Sequence, residues 1–358
     1  MSISKWFASI ILAAAAVSTV SAETHCPGDV ASLTFNLANR HQIIVPVSIN
    51  HAGPFNFLLD TGTQMTMVDP ALAAELHLST EGTANVASVG VSATASFARL
   101  DLIEAGASAA ANQKVLVYDL HNLQASGLPI RGVLGEDFLE RYDMLIDNGH
   151  NLLCLDDTGK MRANIKGAHI ALQASDQGAE GASLAASLIV TARLTDGMRP
   201  VRLKLDSGSN VPFLYNPSET LALGLFHNVS LQGGGSGGAQ RTFTALPAQN
   251  VKIGSVDLTK VTFITLAGAQ KNSHTTEFDG LLTMGLFRRV FVDHTDHYAV
   301  LDLGRAQFGP LRRIVAEQET PMGCVATGRN YSRGCSSGRR GARVFELTRD
   351  VSSQCLAM

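Results

Sequence analysis

Leu58-Leu59-Asp60-Thr61-Gly62-Thr63 ends an apolar, strand-like run, and 146 residues later the pattern returns as Lys204-Leu205-Asp206-Ser207-Gly208-Ser209. One such triplet would be a weak signal, because short motifs recur by chance. Here the surroundings repeat as well. Pro54 and Pro200 each stand six residues before their aspartate, and Asp69-Pro70 is answered by Asn216-Pro217. Each pair opens a helix-like stretch, 71–78 in the first copy and 218–225 in the second. Gly132-Val133-Leu134 is answered by Gly280-Leu281-Leu282, at Asp-to-Gly separations of 72 and 74 residues. The chain is an internal duplication of a domain-sized unit.

With 358 residues there is room for two such units, each with its own core. Charged residues make up 16% and the net charge is −3, with no basic face ahead of the C-terminus, so nucleic acid is excluded as a partner. Abundant Gly and small residues, without long amphipathic periodicity, predict a sheet-rich protein. Residues 1–22 read as a secretory signal: Lys5 precedes the apolar run 6–17, and Val20-Ser21-Ala22 is a small-residue cleavage region. The run is too short to span a bilayer comfortably, so no stable membrane insertion is expected after its removal. The expected location is the periplasm or the extracellular space. Export permits disulfides among Cys26, Cys154, Cys324, Cys335 and Cys355, and the odd count leaves one thiol over. No Cys/His spacing suits zinc, and no metal or cofactor is expected.

The predicted organisation is a first unit at 23–172, a polar join at 173–185, a second unit at 186–311 and a tail at 312–358 containing Arg, Gly and Cys. In the first unit, 42–49 alternates as a strand, His51-Ala52-Gly53-Pro54 signals a turn, and 55–59 returns to Asp60. Residues 81–96 predict a soft strand-and-turn region, followed by short strands at 100–103 and 114–118. A short helix is expected at 136–142, then a hairpin turning at Asn148-Gly149. The second unit replays this order, with Gly233–Gly238 where 81–96 fell.

An aspartate at a strand tip followed by a small hydroxyl residue and a glycine has a physical logic. Gly62 and Gly208 let the backbone turn tightly and bring an N–H towards the carboxylate. Thr63 and Ser209 are each positioned to donate a hydroxyl hydrogen bond to their own aspartate, while Thr61 and Ser207 can bond across to the opposite loop. Face to face, two such loops bring two carboxylates into one space, where both cannot ionise. One then takes a proton from water while the other polarises a carbonyl.

On these residues, together with Val133-Leu134-Gly135, the chain resembles aspartic proteases of the pepsin/retropepsin superfamily, and in particular a bacterial exported group with two retropepsin-like lobes in one chain. The resemblance covers about 41–156 and 186–303. It implies a mainly β, bilobal fold of two duplicated β-barrel lobes with short helices, and a catalytic Asp60–Asp206 dyad acting on a peptide or protein substrate. A hairpin flap from 81–96 or from Gly233–Gly238 is also implied. Thr283 stands where the first unit has Gly135, so the second apolar-apolar-Gly element is an imperfect repeat.

Competing readings are weaker. A haloacid-dehalogenase-type phosphotransferase needs a second acid two residues after its aspartate, where Gly62 and Gly208 stand. The glycine run lacks the Lys-Ser/Thr of a phosphate loop. Asp293-His294-Thr295-Asp296-His297 could suggest a metal, but Asp293 and Asp302 match Asp147 and Asp156 around a hairpin and read as turn residues. The alternative of another class is an inactive two-lobed module that keeps its cleft to bind peptides. Intramolecular pairing of the two motifs favours a monomer over a dyad formed between chains.

Overall fold

Strands Gln42–Ile49 and Ala52–Leu59 form the antiparallel hairpin that delivers Asp60. The structure, a computed structural model, describes residues 25–88, 91–173, 188–222, 229–234, 240–267 and 278–304. The leader, most of the join at 173–185, Gly235–Gly238 and the tail with its three cysteines lie outside the described residues.

The protein is mainly β, with three sheets and a few short helices among the described residues. Both faces of the hairpin are covered at the end that carries Asp60, so 43–45 and 57–59 read as continuous apolar runs, while Gly53, Pro54 and Asn56 are exposed. Val45, Val47, Phe57 and Leu59 join the large central core, while Ile44 and Leu58 pack on the other face with Met67, Leu116 and Val133. Each such fully buried side chain contributes roughly 1.5–3 kcal/mol. The turn is at Asn50-His51, both with positive φ (49° and 65°), as a two-residue hairpin loop requires. The turn expected at 51–54 is therefore displaced, and Gly53 and Pro54 lie within the returning strand.

After the Asp60 loop comes the short strand Met67–Val68, and much later Gly132–Leu134 inserts between the two. It runs parallel to Ala52–Leu59, with Leu59 opposite Leu134, and antiparallel to Met67–Val68. The Asp60 N–H donates to the Leu134 carbonyl, so this insertion supports the loop from below. The excursion between is a long hairpin, Thr80–Ser88 with Val91–Ala105, continued by Ser108–Val117. The soft strands expected at 81–96 and 100–103 are thus one hairpin whose second arm is 15 residues long.

The second unit repeats the plan. Val201–Asp206 is parallel to Gly280–Thr283, which is antiparallel to Phe213–Leu214. Its own hairpin, Val229–Gly234 with Gln240–Ala245, takes up Gly233 and Gly234. The helices after the aspartate loops are short, Pro70–Glu75 and Pro217–Thr220. Asp69 caps the first by accepting from the Leu72 N–H, whereas Asn216 caps nothing with its side chain.

The two units meet in a sheet to which both contribute. Asp143–Asp147 pairs with Leu152–Asp156, and Arg289–Asp293 with Tyr298–Asp302. The two hairpins then join antiparallel, Met144 opposite Val292. Ile170–Ala171 extends the sheet beside Tyr298–Asp302. Met144, Ile146, Val290 and Val292 face the central core, and Leu145, Phe291 and Val300 face a smaller cluster closed by the Cys26–Cys154 disulfide. The first of these hairpins turns through four residues, 148–151, with Asn151 rather than Gly149 at positive φ. Its turn is held instead by Asp147, whose Oδ1 accepts from the Gly149 and His150 N–H groups.

Candidate functional site

Asp60 and Asp206 leave the ends of equivalent strands and are 5% and 2% exposed. Asp60 Oδ1 accepts from the Gly62 N–H at 2.8 Å, and Oδ2 from the Thr63 hydroxyl at 2.8 Å. Asp206 is held differently. Its Oδ1 accepts from the N–H groups of Gly208 (2.8 Å) and Ser209 (3.0 Å). The Ser209 hydroxyl, expected on Asp206, donates its single proton to the Val211 carbonyl at 2.7 Å.

Thr61 and Ser207 brace the loops across the two units. Thr61 Oγ1 donates to the Leu205 carbonyl (2.9 Å) and accepts from the Ser207 N–H (3.1 Å). Ser207 Oγ reciprocates, donating to the Leu59 carbonyl (2.8 Å) and accepting from the Thr61 N–H (3.1 Å). All four bonds are buried, and burial makes an unmade partner expensive. Thr61→Val strands the Leu205 carbonyl and the Ser207 N–H. The expected cost is about 2 kcal/mol in urea unfolding. Loss under about 0.5 kcal/mol would show that the brace is dispensable.

The glycines allow close approach. A Cβ on Gly62 would lie 2.7 Å from Asp206 Oδ2, and one on Gly208 would lie 2.6 Å from Asp60 Oδ1. Each loop thus packs its glycine against the other's carboxylate. Behind Asp60, Thr66 donates through its N–H and hydroxyl to Asp137 Oδ1, and its Oγ1 accepts from the Gly135 N–H. Gln113 holds the other Asp137 oxygen. The second unit does this in one step. Thr283 Oγ1 donates to the Ser209 carbonyl at 2.6 Å and accepts from the Gly285 N–H. The imperfect repeat is therefore a substitute brace, in which the threonine occupying the glycine position makes the bonds itself.

Sequence reading missed several supporting residues: Gln42, Thr66, Gln113, Asp137 and Lys204. Gln42 Nε2 donates to the Gly208 carbonyl (3.1 Å) and Lys204 Nζ to the Gly62 carbonyl (3.0 Å). Lys204 had a visible signal, a lysine inside an apolar strand, since such residues are rarely buried without a partner. The others had none, because each acts through a partner distant in sequence.

Burial, then the charge of Asp60, push Asp206 up to about 7. Burial raises Asp60 too, opposed by the bonds from Thr63 and Gly62 and by the Lys204 charge. An unfolded aspartate releases its proton near pH ~4. Between there and about 7 the folded pair holds a proton that the unfolded chain has lost. Stability should therefore fall as pH rises through that window. Thermal unfolding from pH 4 to 8 should show this decline, reduced in Asp206→Asn. An unchanged slope in that variant would rule out the raised carboxyl as its source.

The His-rich turn is structural in its contacts. Asp293 Oδ1 accepts from the Thr295 and Asp296 N–H groups, as Asp147 does in the other hairpin. His294 lies between the Tyr142 carbonyl (2.7 Å) and Glu136 Oε1 (3.0 Å). Burial opposes its charge, but Glu136 and the Tyr142 carbonyl outweigh it and raise its pKa. Among the described residues no helix is long and apolar enough to cross a membrane.

Residues 45–138 match the family model for aspartyl proteases. Among solved structures, the chain is similar to a retropepsin-like aspartic protease from Rickettsia conorii, at 20% identity. That alignment covers 35% of this chain and 87% of the other, with a TM-score of 0.26. It is also similar to an aspartic proteinase from Irpex lacteus, at 11% identity over 77% of this chain and 98% of the other, with a TM-score of 0.46. No curated protein matches.

Proposed function

We propose that this protein is an aspartic endopeptidase working through Asp60 and Asp206, a reading supported by the match of residues 45–138 to the aspartyl-protease family model. The observation that carries the reading is the reciprocal Thr61–Ser207 brace, which holds two buried aspartate loops against each other. The family implies a peptide or protein substrate.

The pair holds one proton between its two ionisations, of which the upper, on Asp206, lies at about 7. Thr63 and Gly62 donate to both oxygens of Asp60 and favour charge there, while both loop N–H groups of Asp206 go to Oδ1. Asp60 is then the base that takes a proton from water, and Asp206 donates a hydrogen bond to the scissile carbonyl. The water oxygen adds to the carbonyl carbon. The C–N bond of the tetrahedral adduct breaks as the proton taken by Asp60 passes to the departing nitrogen, leaving an acid and an amine. The leader at 1–22 and the Cys26–Cys154 disulfide support export to the periplasm or beyond, and the pairing of both motifs within one chain supports a monomer.

The test is cleavage of a diverse peptide mixture by the purified mature chain from pH 3 to 8, with cut sites read by mass spectrometry. Cleavage should resist chelators and decline as the pair loses its proton near pH 7. A folded protein that retains peptides but cuts none at any pH would move the assignment to a peptide-binding module.

A further inference from the structure

Lys204 is 1% exposed and lies two residues before Asp206, on the same face of its strand. Its counterpart in the first unit is Leu58, buried among apolar neighbours: Leu58 pairs with Val133 as Lys204 pairs with Leu281. A hydrophobic residue therefore suits this position, and a lysine there must be held. It reaches across to the other unit, where Nζ donates to the Gly62 carbonyl. The matching Gly208 carbonyl is held from across by Gln42, a neutral amide. Bracing a glycine carbonyl thus needs a donor and no charge. What lysine adds is charge, and the loop it is seated on packs its glycine against Asp206 Oδ2.

We propose that Lys204 is a positioning residue for the aspartate pair: its ammonium, seated on the Gly62 carbonyl, offsets the pair's negative charge and sets the upper pH limit at which the pair keeps its proton. The inference rests on the reading of Asp60 and Asp206 as a proton-sharing dyad. The Lys204 charge acts on both aspartates in the direction required. The other ionisable groups on the surrounding elements are engaged or turned away. Asp137, behind the Asp60 loop, is held by Thr66 and Gln113, and its pKa is raised by burial. Tyr215 lies beyond Asp206, with its hydroxyl held neutral by burial and by the Asp206 charge. Arg202, earlier on the strand, bonds Gln173, and Asp279 ahead of the paired strand is held by Arg199. Arg193 is exposed on the neighbouring strand, and His41, before Gln42, has its pKa lowered by burial and Arg40.

The test is a carbon-13 NMR titration of the aspartate carboxyls in the wild type, Lys204→Gln and Lys204→Leu, with Asp60→Asn and Asp206→Asn for assignment. Gln keeps a donor without the charge, and Leu reproduces the other unit. In both variants the upper pKa of the pair should rise by about 1 unit. The alkaline limb of cleavage should move with it, giving about fivefold more activity one pH unit above the wild-type midpoint and about tenfold further up. A pair that titrates unchanged in Lys204→Gln overturns the proposal, because a purely steric or hydrogen-bonding role would leave it so. If neither variant folds, the Lys204 Cε resonance of the wild type decides. A lysine that keeps its proton until the pair has ionised supports the proposal, and one that loses it first overturns it. A shifted pair without any cleavage would refute the peptidase and leave the charge inference standing. Cleavage with an unmoved pair would do the reverse.

Discussion

Asp60→Asn is expected to reduce peptide cleavage by about 10²–10⁴-fold, and Asp206→Asn by a similar factor, with both variants folded. An amide cannot take a proton from water, which removes the base at position 60. At position 206 an amide can still donate a hydrogen bond but cannot share the proton of the pair. Both loops should survive, because Gly62 and Thr63 donate to oxygens at position 60, and Gly208 and Ser209 donate to one at 206. Asn offers one such oxygen, so Asp206→Asn can keep both bonds, whereas Asp60→Asn must turn its amide nitrogen to Thr63, whose hydroxyl then accepts instead of donating to a carboxylate. A modest loss of stability is therefore expected in Asp60→Asn. Steady-state cleavage and circular dichroism on the same preparations check this. Near wild-type turnover in either variant would eliminate the dyad.

Gly208→Ala should be strongly damaging to cleavage while leaving every ionisable group in place. Its Cβ would lie 2.6 Å from Asp60 Oδ1, closer still to the carboxyl carbon, and the carboxylate has no easy retreat. It is tied by Gly62 and Thr63 and almost fully buried. Relief must come from spreading the loops, which strains the Thr61–Ser207 brace. Overpacking of this kind costs about 1–3 kcal/mol, and an error near 1 Å in a reacting group can cost about 10²-fold in rate. Gly62→Ala meets Asp206 Oδ2 at 2.7 Å and Asp60 Oδ1 at 2.9 Å, against a tightest contact of 2.4 Å at position 208, so its effect should be smaller. Comparing kcat and urea midpoints for the two alanine variants tests the asymmetry. Equal or reversed effects would show that the contact with Asp60 is not what limits position 208.

Much of the architecture was legible because duplication is visible without knowing any fold. Repeated Asp-Thr/Ser-Gly motifs, apolar approach strands and matching Gly-apolar-apolar elements foretold two β units. They also foretold the cross-brace of Thr61 with Ser207, since that logic needs only two facing loops. Local chemistry was harder. Asn148-Gly149 is a hairpin signal, but Asp147 holds the Gly149 and His150 N–H groups and the positive φ falls at Asn151. Ser209 has a hydroxyl suited to Asp206, yet the Val211 carbonyl took its only proton.

Sequence by itself determined the number of units, their mainly β character and the residues of the candidate dyad, because these follow from patterns within short stretches. Only the tertiary structure decided how the units join and what surrounds the dyad. Met144-Leu145-Ile146 reads as a buried strand in any fold, but its partner Val290-Phe291-Val292 is chosen by burial of both faces when the hairpins meet. Lys204 reads as an anomaly in an apolar run, and becomes intelligible once the Gly62 carbonyl of the other unit lies within 3.0 Å. Thr283 reads as a fault in the repeat until the Ser209 carbonyl appears beside it. In each case the deciding partner is more than 70 residues away. A hydrogen bond or a packed face is set by distance in space, which only the folded chain supplies.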